Sequence, residues 1–179
     1  MPEARRSSAA ASRLLVALDT PASVLAWSAV DDAVMGGLSS SQLLFAAAGH
    51  ADFTGSVSLA NNGGFASVRT APDDYSAPGT RTFRLAVRGD GRRYKLNLRT
   101  DDAYDGPSYQ AVFSPPAGEW SEIVLAIADF IARHRGRPVD APPLDPARIR
   151  RVGLMIADRQ TGSFRLSIRW LRAEAPGSR

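Results

Sequence analysis

The sequence predicts an all-β fold, a jelly-roll sandwich of two sheets. Three observations carry this. From Ala22 onward, short apolar segments are separated by Gly, Asn, Asp and Pro. Within several of them apolar and polar residues alternate strictly. Almost no stretch has the length and period of a helix. The 179 residues suit one domain with loose ends, and the 44% hydrophobic fraction is enough for a core without staples. The expected organisation is a flexible arm at 1–20, a sandwich at 21–173 and a tail at 174–179.

The elements follow in order. Early strands are expected at 43–47, 55–59 and 65–69. Next, Phe83, Leu85 and Val87 alternate with Arg84, Ala86 and Arg88, and Tyr94, Leu96 and Leu98 alternate with Lys95, Asn97 and Arg99. With Gly89-Asp90-Gly91 between them, these segments read as a β-hairpin with one apolar and one basic face. Further strands are expected at 109–113, 122–127, 151–157 and 163–171. In the last, Phe164, Leu166, Ile168 and Trp170 share the apolar parity. Residues 127–134 could hold a helical turn or two, and the Pro-rich stretch 135–146 reads as a loop. About nine or ten strands in total are expected, with Trp27, Trp120 and Trp170 packed in the core.

Composition narrows the chemistry. There is no cysteine, so disulfides, thiolate metal sites and cysteine nucleophiles are excluded. The net charge is +4, from 22 basic and 18 acidic residues. Half of that excess sits at the two ends, and the remaining arginines are interspersed with aspartates. This predicts a solvated surface and no nucleic-acid stripe. No apolar run approaches the roughly 18 residues that span a bilayer, so no transmembrane segment is expected. His50 and His134 have no second metal-type residue at ligand spacing, and no P-loop, dinucleotide fingerprint or G-x-S-x-G elbow is present. No cofactor, metal or catalytic residue is therefore assigned. The pairs Asp31-Asp32, Asp73-Asp74 and Asp101-Asp102 with Asp105 lie in expected loops. They read as polar connections ahead of a hydrolase pair or a calcium loop.

Two glycine-rich segments are more specific. One contains Asp32, Met35, Gly36 and Gly37; the other contains Asn61, Asn62, Gly63 and Gly64. Paired glycines permit positive φ and close backbone approach. The functional reading puts both turns at one end of the sandwich as a recognition rim; the plain reading makes them strand-linking turns. A concave sheet face could add Arg84, Arg88, Lys95, Asn97 and Arg99, with Gln110 on an adjacent strand and Asp158 at the end of another. Arginine forks and amides suit carboxylates, sugar hydroxyls or a peptide backbone.

Trp27 with Asp32-Ala33-Val34-Met35-Gly36-Gly37-Leu38-Ser39 resembles the opening signature of the complex I intermediate-associated protein family. In the same order, Asn61-Asn62-Gly63-Gly64-Phe65-Ala66-Ser67-Val68-Arg69 resembles its second signature. Arg88 to Tyr94, Tyr109-Gln110 with Phe113, Gly118-Glu119-Trp120, and Gly153 to Gln160 followed by Gly162 and Phe164 resemble later blocks. The resemblance runs from about Trp27 to Ala173. It implies a galactose-binding-domain-like jelly roll without catalytic residues. It also implies a chaperone-like role on a protein partner, respiratory complex subunits or an assembly intermediate. The alternative is a carbohydrate-binding module with a structural calcium. The Arg- and Ala-rich composition, without the long extension expected of a mitochondrial precursor, suggests a bacterial member in the cytoplasm, the alternative being the mitochondrial matrix. Taken together, the glycine turns and the outward sheet face make Asp32, Met35, Gly36, Gly37, Asn61, Asn62, Gly63, Gly64, Arg84, Asn97, Arg99, Gln110 and Asp158 the expected partner-binding residues.

Overall fold

A computed structural model describes residues 11–176. Thirteen strands run through them: β1 Ser12–Ala17, β2 Trp27–Ala29, β3 Ser40–Ala46, β4 His50–Val57, β5 Ala66–Thr70, β6 Thr82–Arg88, β7 Tyr94–Arg99, β8 Ser108–Phe113, β9 Trp120–Ala126, β10 Ile131–His134, β11 Arg137–Pro138, β12 Arg151–Ile156 and β13 Gly162–Glu174. The helical content of the described residues is five single 3-10 turns. One sheet has the order β3-β4-β13-β6-β9, with β1 also paired to β13; the second has the order β11-β10-β8-β7-β12-β5-β2. All named strand pairs are antiparallel. This is the all-β jelly-roll sandwich that the alternation predicts.

The inward halves of the strands make one core. Phe53, Phe83, Leu85, Tyr94, Leu96, Leu98, Leu154, Ile156 and Leu166 are completely or almost completely buried. Each large side chain contributes about 1.5–3 kcal/mol of burial. Phe53 and Phe164 pack at 4.9 Å between ring centroids, and Phe83 and Phe130 at 5.4 Å.

The structure corrects several expectations. The pair β6 and β7 is not a hairpin. β6 lies in the first sheet and β7 in the second, so Gly89-Asp90-Gly91 crosses between sheets. Asp90 fixes the crossing by accepting the amides of Arg92 (3.1 Å) and Arg165 (2.8 Å). Each strand turns its apolar side toward the other across the core. Their basic sides therefore face outward on opposite sides of the molecule. Alternation is identical in a hairpin and in such an arch, which is why parity could not tell them apart.

The expected arm at 1–20 is also revised. Residues 1–10 lie outside the described region, but Ser12–Ala17 forms β1 on β13, and Val16 and Leu18 are buried. At the other end β13 runs through Glu174; residues 177–179 of the expected tail lie outside the described region. The segment 127–134 holds one 3-10 turn, Ile127–Asp129, and then β10.

Trp170 leaves the expected parity because of a bulge. The register of β13 on β6 shifts between Ile168 and Trp170, so Arg169 is the extra residue and Leu171 and Ala173 take the inward places. Trp120 and Trp170 therefore lie on the outer face of the first sheet, under arginines. Arg169 sits 3.9 Å from the Trp120 ring and Arg172 4.8 Å from Trp170. Trp27 does pack against the core.

Candidate functional site

The two glycine segments meet at one side chain. Asp32 is completely buried. Its carboxylate accepts the Ser39 amide (2.9 Å) and hydroxyl (2.5 Å), the Gly64 amide (2.7 Å) and the Phe65 amide (3.4 Å). Burial pushes its pKa up, but these bonds outweigh burial and hold it below the usual carboxylate range. The glycines are what let the chain close around it. A Cβ on Gly37 would stand 2.4 Å from Asp32 Cγ, and one on Gly63 would stand 2.6 Å from Asp32 Oδ2. Gly36 adopts φ +88° at the exit of the turn.

Asp31 repeats the device toward the other sheet. It accepts Ser41 Oγ (2.6 Å) and the Ser41 (3.0 Å) and Ser67 (3.0 Å) amides, so β3 and β5 are held together across the sandwich edge. Asp31-Asp32 is thus a clamp. Its carboxylates face different partners and not one cleft.

The second sheet carries a groove of about 690 Å³ on its outer face. Four adjacent strands form its floor through their outward parity: Ser67 and Arg69 on β5, Arg151, Gly153 and Met155 on β12, Lys95, Asn97 and Arg99 on β7, and Ser108, Gln110 and Val112 on β8. Register places Gly153 directly between Arg69 and Asn97, and Asn97 beside Gln110. The glycine leaves bare backbone at mid-floor. One wall is the Asn62-Gly63-Gly64-Phe65 turn, held by Asp32. The opposite wall joins Tyr104-Asp105-Gly106 to the β10–β11 turn. There Asp105 bonds Arg135 (2.7 Å) and His134 (3.0 Å), which together hold its pKa below the usual range. Asp158 edges the groove 3.5 Å from Lys95.

Seven basic side chains line the groove against two acidic ones, Asp105 and Asp158. The expectation of evenly dispersed charge is therefore overturned. Residues distant in sequence are brought side by side by strand pairing, Arg151 opposite Arg99 for instance. Burial, followed by the charges of Arg99 and Arg151, lowers the Arg69 pKa; burial, followed by Arg151, lowers that of Arg99. Arg69 lies 4.4 Å over the Tyr104 ring, Arg99 Nη1 donates to Gly106 O (2.9 Å), and Arg151 Nη2 donates to Asp102 O (3.2 Å). Among the described residues, Arg69 Nη2, Arg151 Nε and Asn97 Oδ1 are buried without a hydrogen-bond partner.

Of the residues expected at a partner site, Asn97, Arg99, Gln110, Asp158, Asn62, Gly63 and Gly64 line this groove. Asp32 and Gly37 are buried beneath its wall and shape it without being exposed. Asn61 and Asn62 both take positive φ, 55° and 59°. The side chain of Met35 lies outside the described region. Arg84 is a correction: it lies on the opposite sheet, paired with Glu174 (2.9 Å) and Glu122 (3.3 Å). Arg88 stands on that face too, 5.0 Å from Trp120. Sequence reasoning missed Arg69, Arg151, Gly153 and Met155. Parity on 66–70 and 151–156 would have turned them outward, but only strand order makes them neighbours of Asn97.

The calcium alternative finds no support in the loop proposed for it. Asp102 pairs with Arg150 (2.8 Å), Asp105 pairs with Arg135, and Asp101 accepts the Ala103 amide (3.1 Å). No group of three or more His, Asp or Glu side chains gathers at metal-binding spacing among the described residues. No helix among the described residues is long and apolar enough to cross a membrane.

Among solved structures, the fold is similar to the family 11 carbohydrate-binding module of the cellulosomal cellulase Lic26A-Cel5E of Clostridium thermocellum. That match has 15% identity and a TM-score of 0.69, covering 96% of this chain and 97% of that one. It is also similar to a family 29 carbohydrate-binding module, with 12% identity and a TM-score of 0.53 over 92% of each chain. At such identities the likeness establishes the fold alone. Among curated proteins, 92 residues are 30% identical to mouse (Mus musculus) complex I intermediate-associated protein 30, mitochondrial; they make up 49% of this chain and 28% of the mouse protein. The family model described as complex I intermediate-associated protein 30 matches residues 16–168, and the chain belongs to that family.

Proposed function

We propose that this chain is a non-catalytic protein-binding domain that acts as a chaperone-like assembly factor for respiratory complex I or a related complex. The groove of the second sheet is its contact surface. Membership of the family supports the assembly role. The observation that carries the choice of surface is the set of buried polar atoms on the groove floor that lack partners among the described residues, Arg69 Nη2, Asn97 Oδ1 and Arg151 Nε. A buried, unsatisfied polar group costs about 1–3 kcal/mol, a cost that favours a partner these side chains can turn to meet. The mouse relative is mitochondrial by name, which fits the matrix alternative for the site of action.

A glycan is the second reading, because Asn97 and Gln110 can serve hydroxyl groups and the structural relatives are carbohydrate-binding modules. Against it, the outward positions of β5, β7, β8 and β12 include no aromatic ring, and Tyr104 on the groove wall already carries Arg69 on one face. The test is affinity capture of the intact chain from its host under crosslinking, read by mass spectrometry. Enrichment of complex I subunits supports the assembly role. Enrichment of none of them, together with binding on a glycan array, overturns it in favour of the second reading.

A further inference from the structure

We infer that Arg69, Arg99 and Arg151 form an anion-recognition site for an extended, acidic segment of the protein partner, its Asp or Glu carboxylates seated over Gly153. The inference deepens the proposed function and rests on the groove being a contact surface.

The case begins with unbalanced charge. The groove carries seven basic side chains and two acidic ones. Both acids already have partners, Asp105 with Arg135 and His134, and Asp158 with Lys95. The three arginines bond only to neutral groups: Arg99 to the Gly106 carbonyl, Arg151 to the Asp102 carbonyl, and Arg69 to the face of Tyr104. Arg69 is only 7% exposed, yet its Nη2 has no partner among the described residues. Arg151 Nε has none either. Arg99 and Arg151 are half-buried, and the carboxylates of Asp101, Asp102 and Asp105 act on the three without forming an ion pair with any of them. Burying a cation such as Arg69 costs stability, and three cations side by side lose more to mutual repulsion.

Guanidinium forks match carboxylates in bidentate geometry. β5, β12 and β7 are consecutive in the sheet, so the three arginines rise from backbones spread over about 10 Å. Carboxylates on the same side of an extended peptide stand about 7 Å apart, a spacing that lets two of them engage the three forks. The bare backbone at Gly153 allows such a chain to lie close to the floor. Asn97 and Gln110, paired in register beside it, offer amide groups to a peptide backbone. A nucleic-acid strand would bring phosphates to the same cations, but the floor strands offer its bases no stacking plane, and Tyr104 on the wall already carries Arg69 on one face.

The test uses the full chain and a rhodamine-labelled twelve-residue peptide of alternating Glu and Gly, with a Gln/Gly peptide of the same length as control. Binding is followed by fluorescence anisotropy at low and high salt. The Glu peptide should bind at least tenfold more tightly than the control, and high salt should erase most of that difference. Arg69→Gln with Arg151→Gln should weaken the Glu peptide at least tenfold. Arg84→Gln, on the opposite face, should leave it unchanged. The double variant should melt close to the wild-type chain, because it removes two like charges that form no ion pair and repel Arg99. Should it fail to fold, Arg99→Gln supplies the same comparison. Equal affinity for the two peptides, an unchanged affinity in the arginine variants, or tighter binding of a twelve-nucleotide oligo-dT would each overturn the inference. Capture experiments separate the two claims. If the double variant retains complex I subunits as well as the wild type does, the anion site fails and the assembly role stands. If neither captures them while the peptide results hold, the assembly role fails and the acidic-peptide site stands.

Discussion

Replacing Asp32 by Asn should destabilise the chain substantially although the two side chains are nearly the same size. The amide retains one acceptor oxygen. Its better placement keeps the oxygen toward Ser39 Oγ, Gly64 and Phe65 and turns the NH2 group onto the Ser39 amide, which Asp32 accepts at 2.9 Å. One buried donor is then orphaned, at about 1–3 kcal/mol, and two good bonds lose charge assistance, at about 1 kcal/mol each. Relief from burying a charge offsets part of this, so the net loss is about 3 kcal/mol, or roughly 6–12 °C in Tm for a chain of this size. The pH dependence has a definite sign. The folded pKa is depressed below the unfolded value, so the stabilisation is complete above the unfolded pKa of about 4 and disappears as pH falls through the folded pKa. Thermal melts of both proteins from pH 7 to pH 2.5 should show a constant gap that closes only in the acid limb. A gap under about 2 °C at neutral pH would refute the clamp.

Three further outcomes follow from the packing. Gly55→Ala should prevent folding or cost more than about 3 kcal/mol in chemical denaturation, because the added Cβ would stand 2.0 Å from the Ser40 carbonyl oxygen and 2.8 Å from Ser41 Cα. Near-wild-type stability would mean that β3 and β4 can spread. Tyr94→Phe should be neutral or stabilising by up to about 1 kcal/mol, since the hydroxyl is buried without a hydrogen-bond partner among the described residues. Burial, reinforced by the Asp90 carboxylate, pushes that phenol well above its ordinary pKa. A loss above about 1 kcal/mol would show that the hydroxyl is satisfied in solution. Arg169→Ala should red-shift tryptophan emission and cost about 0.5–1 kcal/mol, because the guanidinium covers Trp120 at 3.9 Å. An unchanged spectrum would place Trp120 elsewhere in solution.

The fold class was legible because alternation is a local property. In 83–88, 94–99 and 163–168, each residue's neighbours in sequence determine which side it presents. Which sheet each strand joins is not local. The arch between β6 and β7, with Asp90 bonding the Arg165 amide 75 positions away, has the same sequence signature as a hairpin. The parity of Trp170 was lost for a related reason. A bulge at Arg169 is one extra residue, and no glycine marks it. β1 was read as an arm because Ser12–Ala17 is short and close to an end, while what orders it is a partner more than 150 positions later.

The candidate site was half legible, and the division follows the same line. The glycine segments stood out because positive φ and close approach demand glycine, but their demand turns out to be internal. Gly37 and Gly63 are bare so that Asp32 can be enclosed. The Asn62–Gly64 wall is thus set by a carboxylate that is itself buried. The arginines show the converse. Interspersed along the chain, Arg69, Arg99 and Arg151 look like solvated charges, each with an acid a few positions away. Pairing of β5, β12 and β7 brings the cations together, close enough for Arg99 and Arg151 to lower the Arg69 pKa, while Asp101 and Asp105 act on them without forming an ion pair. A fold that had to satisfy only itself would have no use for three cations set beside one another, whose mutual repulsion costs stability. That cost, built across three strands by residues far apart in sequence, is what an anionic partner would offset.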